Sequence, residues 1–390
     1  MPWTEVRPMD AKVMFIADYL RNTHSFSGLC RIHGISRKTG YKWVKRYAAS
    51  GFDGLSDCSR RPHCFPNRIP YQIRKRIINL REGYKHWGAK KIREVLSERH
   101  PDWDIPSETS VYNIIKAEGL ISSRKRRRRV AQLPRLLSKV KQPNELWTAD
   151  FKGQFLTGEG RWCYPLTIMD HASRYLLTCD ILSGTKYKET RASFERAFQR
   201  YGLPERIRTD NGVPFASISV GGLSRLSIWW ISLGIIPERI EPGKPQQNGR
   251  HERMHRTLKK ETASPPAKSV AAQQRRFDEF RSRYNEVRPH EGIGMIPPKD
   301  VYRCSDRSLQ ARPKKLAYPG HYDIALVNHN GCIWLHNKTV YLGYLLRGQH
   351  VGLEEVDENV WNVYLGMFLL GSVRRHQREG LVMTRLPSKV

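Results

Sequence analysis

Apolar residues recur along the first 120 positions at intervals of three and four, the spacing of helices with one buried face. In "AKVMFIADYLR", Val13, Ile16, Ala17 and Leu20 share such a face. "SFSGLCRIHG" predicts a second, short helix ending at Gly34. "ISRKTGYKWVKRY" predicts a third, capped by Ser36, with Tyr41 and Val44 turned inward. A helix, a tight Gly-containing turn and a basic second helix form a helix-turn-helix unit. Arg37, Lys38, Thr39 and Lys42 then face outward near the start of the last helix, where groove contacts are made. Residues 50–70, rich in Gly, Ser and Pro, predict a linker. The runs "YQIRKRIINLREGY", "WGAKKIREVLSER" and "IPSETSVYNIIKAEGLI" predict a second helix-turn-helix unit. Ser107 caps its last helix and leaves Ser110, Asn113 and Lys116 exposed.

Beyond residue 142 the period changes. "LWTADFKGQF", "WCYPLTIMD" and "YLLTCDIL" are strand-like runs close together. The helix "KETRASFERAFQRYG", the strand "RIRTD", the helix "LSRLSIWWISLG" and the strand "IIPERI" follow. Residues 246–286 predict two long polar helices broken at "SPP". Three neighbouring strands and then alternating helix and strand predict a mixed-sheet α/β domain. From about residue 320, short strands separated by Asn/Gly turns predict a small β-barrel, followed by a basic tail carrying Arg374, Arg375 and Arg378. The expected organisation is therefore multidomain α and α/β. Helix-turn-helix domains span 1–60 and 66–122, a basic linker 123–141, a mixed-sheet core 142–304, a barrel 316–375 and a tail 376–390.

Charge changes the picture most. The chain carries 68 Lys and Arg against 37 Asp and Glu, a formal charge of +31, which calls for a polyanion and points to nucleic acid. In the linker, Arg124, Lys125, Arg126, Arg127, Arg128 and Arg129 stand in succession, a phosphate-seeking block without sequence preference. The seven cysteines include no C-x-x-C pair, which argues against a disulfide framework or a cysteine zinc knuckle. The first twenty residues lack the basic stretch and apolar run of a signal peptide, and no run approaches a membrane span. A cytoplasmic, nucleoid-associated protein is expected.

Two carboxylates fall at strand ends. Asp150 lies in "WTADFKG", and Asp210 closes "RIRTD" before the turn Asn211-Gly212. Carboxylates clustered on neighbouring strands repel one another, and divalent cations with oxygen ligands relieve that repulsion. Glu252, on a helix that follows a Pro/Gly loop, can supply a third ligand. It shares a helical face with His255, Arg256 and Lys259, so phosphates could lie beside the metal.

"WTADFKG", "RTDNG", "PGKPQQNGRHERMHRTLK" and "YNEVRPHEGIGMIPPKDVY" together resemble the core of bacterial insertion-sequence DDE transposases, relatives of retroviral integrases, over residues 142–304. The tandem helix-turn-helix front end fits the same family. The resemblance implies a ribonuclease H-like core. It also implies two Mg²⁺ ions, with Mn²⁺ able to substitute, held by Asp150, Asp210 and Glu252, and Asp150 bridging them. It implies double-stranded DNA partners, both inverted-repeat ends and target, and a homo-oligomer on DNA. The 41 residues between Asp210 and Glu252 exceed the usual spacing, with the excess expected in "FASISVGGLSRL". The zinc-binding module of retroviral integrases has no counterpart here.

The same helix contains His251-Glu252-Arg253-Met254-His255, a literal H-E-x-x-H zinc-protease pattern. Leu258 and Glu261 stand where the extended metzincin motif has Gly and His, and five cations from Arg250 to Lys260 would repel Zn²⁺. The match is accidental, and both histidines are expected to meet DNA or solvent. Asp170 is expected to cap a strand or pair with Arg174, Asp180 to lie at the surface, and Trp229 and Trp230 to be core residues.

Overall fold

A computed structural model describes residues 8–57, 68–121, 140–217, 222–241, 245–311, 315–376 and 380–385. The Arg124–Arg129 block and most of the basic tail lie outside them. The chain divides into Met1–Pro70 and Tyr71–Val390.

The first unit consists of α1 (Pro8–Arg21), α2 (Phe26–Ile32), α3 (Arg37–Ser50) and a 3-10 turn at Gly51–Leu55. Phe15, Ile16, Leu29, Cys30, Trp43 and Leu55 form its core. Ser36 caps α3 as expected, accepting a hydrogen bond from the Thr39 amide. Two expected inward residues are corrected. Leu20 is 59% exposed, because Phe15 and Ile16 set the buried face of α1. Tyr41 is 60% exposed and stacks on Phe26 instead. Gly40 explains the rotation: a Cβ there would lie 2.7 Å from the Cys30 sulfur, so α3 approaches α2 through Gly40 and Trp43. Tyr41, one residue on, is turned about 100° away.

The second unit begins with α4 (Tyr71–Gly83), α5 (Ala89–Arg99) and α6 (Glu108–Ala117), which bury Ile77, Ile92, Leu96 and Val111. Ser107 caps α6 by accepting from the Ser110 amide. The helices are tied to the core domain by Lys91, which donates to the Pro289 carbonyl, and by a Lys90–Glu291 ion pair of 3.0 Å.

The core sheet is built from β1 (Leu146–Phe151), β2 (Phe155–Leu156), β3 (Trp162–Asp170), β4 (Leu176–Leu182), β5 (Arg206–Thr209) and β6 (Ile236–Arg239). β3 lies antiparallel to β4, β2 and β1, whereas β1, β5 and β6 run parallel. Helix α7 (Tyr187–Tyr201) joins β4 to β5, and α8 (Arg225–Ser232) joins β5 to β6. Helices α9 (Gly249–Thr262) and α10 (Val270–Glu286) follow the last strand. This mixed sheet resembles the expected ribonuclease H-like architecture.

Strand alternation sorts the two faces. Trp147, Ala149, Leu166 and Ile168 pack with Phe194, Phe198 and Trp230 of α7 and α8. Met169, Leu176 and Cys179 pack with Met254, Leu258, Phe277 and Phe280 of α9 and α10.

The C-terminal region corrects the expected barrel. β7 (Asp323–Leu326), β10 (His350–Asp357), β11 (Val360–Leu365), β12 (Phe368–His376) and β13 (Gly380–Arg385) form a five-stranded sheet ordered β13-β12-β11-β10-β7. β8 (Cys332–Leu335) and β9 (Lys338–Tyr341) form a separate hairpin. Among the described residues the sheet does not close, since β7 and β13 remain its two edges. Its core, including Ile333, Val351 and Val363, is continuous with Leu223, Ile228 and Ile231 at α8.

Candidate active site

Asp150 lies near the end of β1, opposite Thr167 on β3, and its side chain turns to the α9 face. Asp210 directly follows β5, the parallel neighbour of β1. Its carboxylate accepts from the Gly212 amide at 3.1 Å, closing the tight Asp-Asn-Gly turn. Asn211 ties that turn to β6 by donating to the Ile240 carbonyl. Glu252 is exposed in the first turn of α9, and the three carboxylates do not gather their oxygens within 4.8 Å of one another.

Asp150 senses the charges of both other carboxylates. The Asp150 carboxyl is pushed up to about 7, mainly by burial and then by the charge of Asp210, with Glu252 adding to the rise. A backbone hydrogen bond and Lys152 oppose the shift without cancelling it. A carboxyl so placed holds a proton near neutrality unless another positive charge takes its place. Such a carboxyl suits a divalent cation with oxygen ligands.

Behind Asp150 lies a buried network absent from the expected site. His251 and His255 do not meet DNA or solvent: they are 0% and 5% exposed and face the sheet. Their spacing of four places both rings on the inward side of α9 with Met254 and Leu258, while Glu252 turns outward. The Thr167 hydroxyl lies 3.1 Å from the Asp150 carbonyl and 2.6 Å from Nε2 of each histidine. A hydroxyl has one proton and two lone pairs. Thr167 thus joins the Asp150 backbone to both imidazoles. The Thr148 hydroxyl, which donates to the Met169 carbonyl at 3.2 Å, lies 2.9 Å from Nδ1 of His251.

Nδ1 of His255 faces the Asp150 carboxylate oxygen at 3.6 Å. Burial lowers His251 to about 3 and holds His255 well below its ordinary value, so both rings are neutral. Asp150, His251 and His255 are a donor cluster with ligand atoms within 4.8 Å of one another, but both His251 nitrogens are occupied by threonine hydroxyls. The H-E-x-x-H residues accordingly do not form a zincin site.

The loop leading into α9 is also anchored. Arg208, 2% exposed, pairs with Glu238 at 2.7 Å and reaches the Gln247 carbonyl at 3.4 Å. Gln247 and Glu241 exchange two hydrogen bonds of 2.8 and 2.9 Å. Asp170, fully buried, caps a turn by accepting from Asn144, the Ser173 amide and the Ser173 hydroxyl. Asp180 pairs with Arg196 and accepts from Ser193. Trp230 is fully buried, as expected, whereas Trp229 is half-exposed beneath Arg191.

Of the expected DNA-contact residues, Arg37, Lys38, Lys42, Asn113, Lys116, Arg256 and Lys259 are exposed. Thr39 and Ser110 are half-buried, their hydroxyls paired with the capping Ser36 and Ser107. No helix among the described residues is long and apolar enough to cross a membrane.

Family comparisons agree with these motifs. Two integrase core domain profiles match residues 140–245 and 233–298, and two homeodomain-like profiles match residues 11–56 and 39–115. An uncharacterized 39.2 kDa protein of insertion element IS476 from Xanthomonas euvesicatoria is 27% identical over 274 residues, covering 69% of this chain and 75% of its own. An uncharacterized 31.7 kDa protein of insertion element IS407 from Burkholderia multivorans is 24% identical over 227 residues, or 58% and 78% of the two chains. Among solved structures, a chain of a simian T-cell lymphotropic virus intasome in complex with the PP2A regulatory subunit B56 gamma is 17% identical. It covers 75% of this chain and 97% of its own, with a TM-score of 0.37. The HTLV-2 integrase catalytic core in complex with magnesium is 16% identical, covering 41% and 97%, with a TM-score of 0.30. The chain thus matches integrase core profiles behind homeodomain-like ones and resembles proteins of bacterial insertion elements, the likeness already legible in its motifs.

Proposed function

We propose that this protein is a DNA transposase that binds terminal inverted repeats, cleaves element ends and joins the resulting 3′-hydroxyl to target DNA. The observation that carries the reading is the Asp150 carboxyl, pushed up to about 7 by burial, Asp210 and Glu252 on the core of an integrase-type chain. Asp150, Asp210 and Glu252 would hold two Mg²⁺ ions, or Mn²⁺ in their place, with Asp150 shared, and the bound ions would supply charge neutralisation at the attacking and leaving oxygens of a phosphodiester.

The protein's own groups do the positioning. Thr167 and the two neutral histidines hold the β1 backbone at Asp150, and the Asp210 turn is fixed by Gly212 and Asn211. Arg256 and Lys259 extend along α9 beside Glu252 to draw the phosphate backbone to the site. Arg37, Lys38, Thr39 and Lys42 in the first helix-turn-helix unit, with Ser110, Asn113 and Lys116 in the second, would address the repeat. The Arg124–Arg129 block would add grip without sequence preference. Joining two ends to one target in concert calls for a homo-oligomer on DNA.

The test incubates purified protein with Mg²⁺, a labelled duplex carrying the element end and an unrelated plasmid, beside Asp210→Asn and Glu252→Gln variants. The proposal expects end cleavage and strand-transfer products from the wild type alone. End-specific binding without products from any of the three would instead identify a silent DNA-binding regulator.

A further inference from the structure

The sheet face opposite α9 carries a second cationic feature. Between α7, α8 and the Tyr344–Leu346 turn lies a groove of about 340 Å³. Arg191, Arg225 and Arg347 line it, and none of its lining residues is acidic. Two of these guanidiniums are steered by aromatic rings. Arg191 lies 5.0 Å from the Trp229 ring centroid and donates to the Tyr187 hydroxyl. Arg347 lies 4.6 Å from the Tyr344 centroid and donates to its hydroxyl. Such contacts reduce the freedom lost when an anion binds. The two walls also share an apolar core, since Ile228 and Ile231 of α8 pack with Val351 and Val363 of the C-terminal sheet.

We infer that this groove is a second contact for the DNA backbone, separate from the stretch at the carboxylates. Three arginines without a carboxylate among them favour a phosphate-bearing ligand, and guanidinium geometry matches phosphate oxygens. Arg225 and Arg347 stand exposed at the rim rather than enclosing a pocket, which suits a continuous polyanion better than a free phosphate. The half-exposed Trp229 offers a ring edge to the adjoining sugar. The inference also gives the C-terminal sheets a role, because they supply Arg347 and Gln349 as one wall. It goes beyond the transposase reading and does not require cleavage.

The test is fluorescence anisotropy of a labelled duplex with the full-length protein in EDTA, over a series of salt concentrations. Wild type is compared with the triple variant Arg191→Ala, Arg225→Ala, Arg347→Ala. Each lost phosphate contact lowers the slope of log affinity against log salt by about 0.9, so three lower it by about 2.7. Over a fourfold rise in salt, wild type then loses roughly 40-fold more affinity than the triple variant. Should the triple variant fail to fold, Arg225→Gln with Arg347→Gln, both on exposed side chains, should lower the slope by about 1.8. An unchanged slope in a folded variant would overturn the inference. So would an equal fall in Arg196→Ala, a variant on α7 outside the groove. Because EDTA removes the metal, the result stands apart from whether the carboxylates support strand transfer.

Discussion

Replacing Asp150 by Asn should change the pH dependence of stability more than its level at acid pH. The unfolded chain ionises Asp150 near 3.8, whereas the folded protein holds the proton to about 7. Between those values the native state binds more protons, so stability falls as pH rises through the window. A shift of about three units corresponds to roughly 4 kcal/mol, of which about 2.5 kcal/mol is lost between pH 5 and pH 8. His251, lowered to about 3, acts in the opposite direction: stability falls as pH drops below 6.5, where the unfolded imidazole gains a proton that the buried ring refuses. The wild-type curve therefore mixes two trends, and the difference between wild type and Asp150→Asn isolates the carboxyl. Urea unfolding in EDTA from pH 5 to pH 8 measures it directly. Millimolar Mg²⁺ should restore wild-type stability at pH 8 and leave the variant unchanged. A difference curve varying by less than about 1 kcal/mol over that range would refute the assignment of Asp150 as a carboxylate strained by its neighbours.

The network and loop anchors give three further expectations. Thr167→Val removes the hydroxyl partner of two buried imidazole nitrogens and should cost roughly 2–5 kcal/mol, read by urea unfolding. Gly212→Ala places a Cβ 3.1 Å from the Asp210 carboxylate, so strand transfer should fall while the melting temperature moves little; unchanged activity would show that the carboxylate has room to spare. Arg208→Ala removes one partner of Glu238 and a buried guanidinium contact to the Gln247 carbonyl, and should destabilise by about 2–4 kcal/mol, read by urea unfolding.

The two aspartates were legible because each sits where a pattern changes: Asp150 near the end of an alternating strand, Asp210 between a strand and an Asn-Gly turn. The barrel was misread for a complementary reason. Strands and turns are local and announce themselves, but closure requires pairing between β7 and β13, far apart in sequence, and no periodicity encodes it. Tyr41 and Leu20 show the same limit on a smaller scale, because the missing side chain of Gly40 and the bulk of Phe15 decide which apolar residues go inward.

The H-E-x-x-H helix shows most clearly what sequence spacing does and does not convey. Spacing of four rightly places His251 and His255 on one face, but not which face. Polarity argues for outward, since a histidine among arginines reads as a solvated residue. What turns the rings inward is Thr148 and Thr167, on two adjacent strands of the same sheet face, supplying hydroxyls where an apolar core would leave ring nitrogens unpaired. Once the histidines face the sheet, Glu252, one residue on, is rotated about 100° out of it. The five residues that mimic a zinc motif thus separate into a buried latch behind Asp150 and an exposed carboxylate beside it.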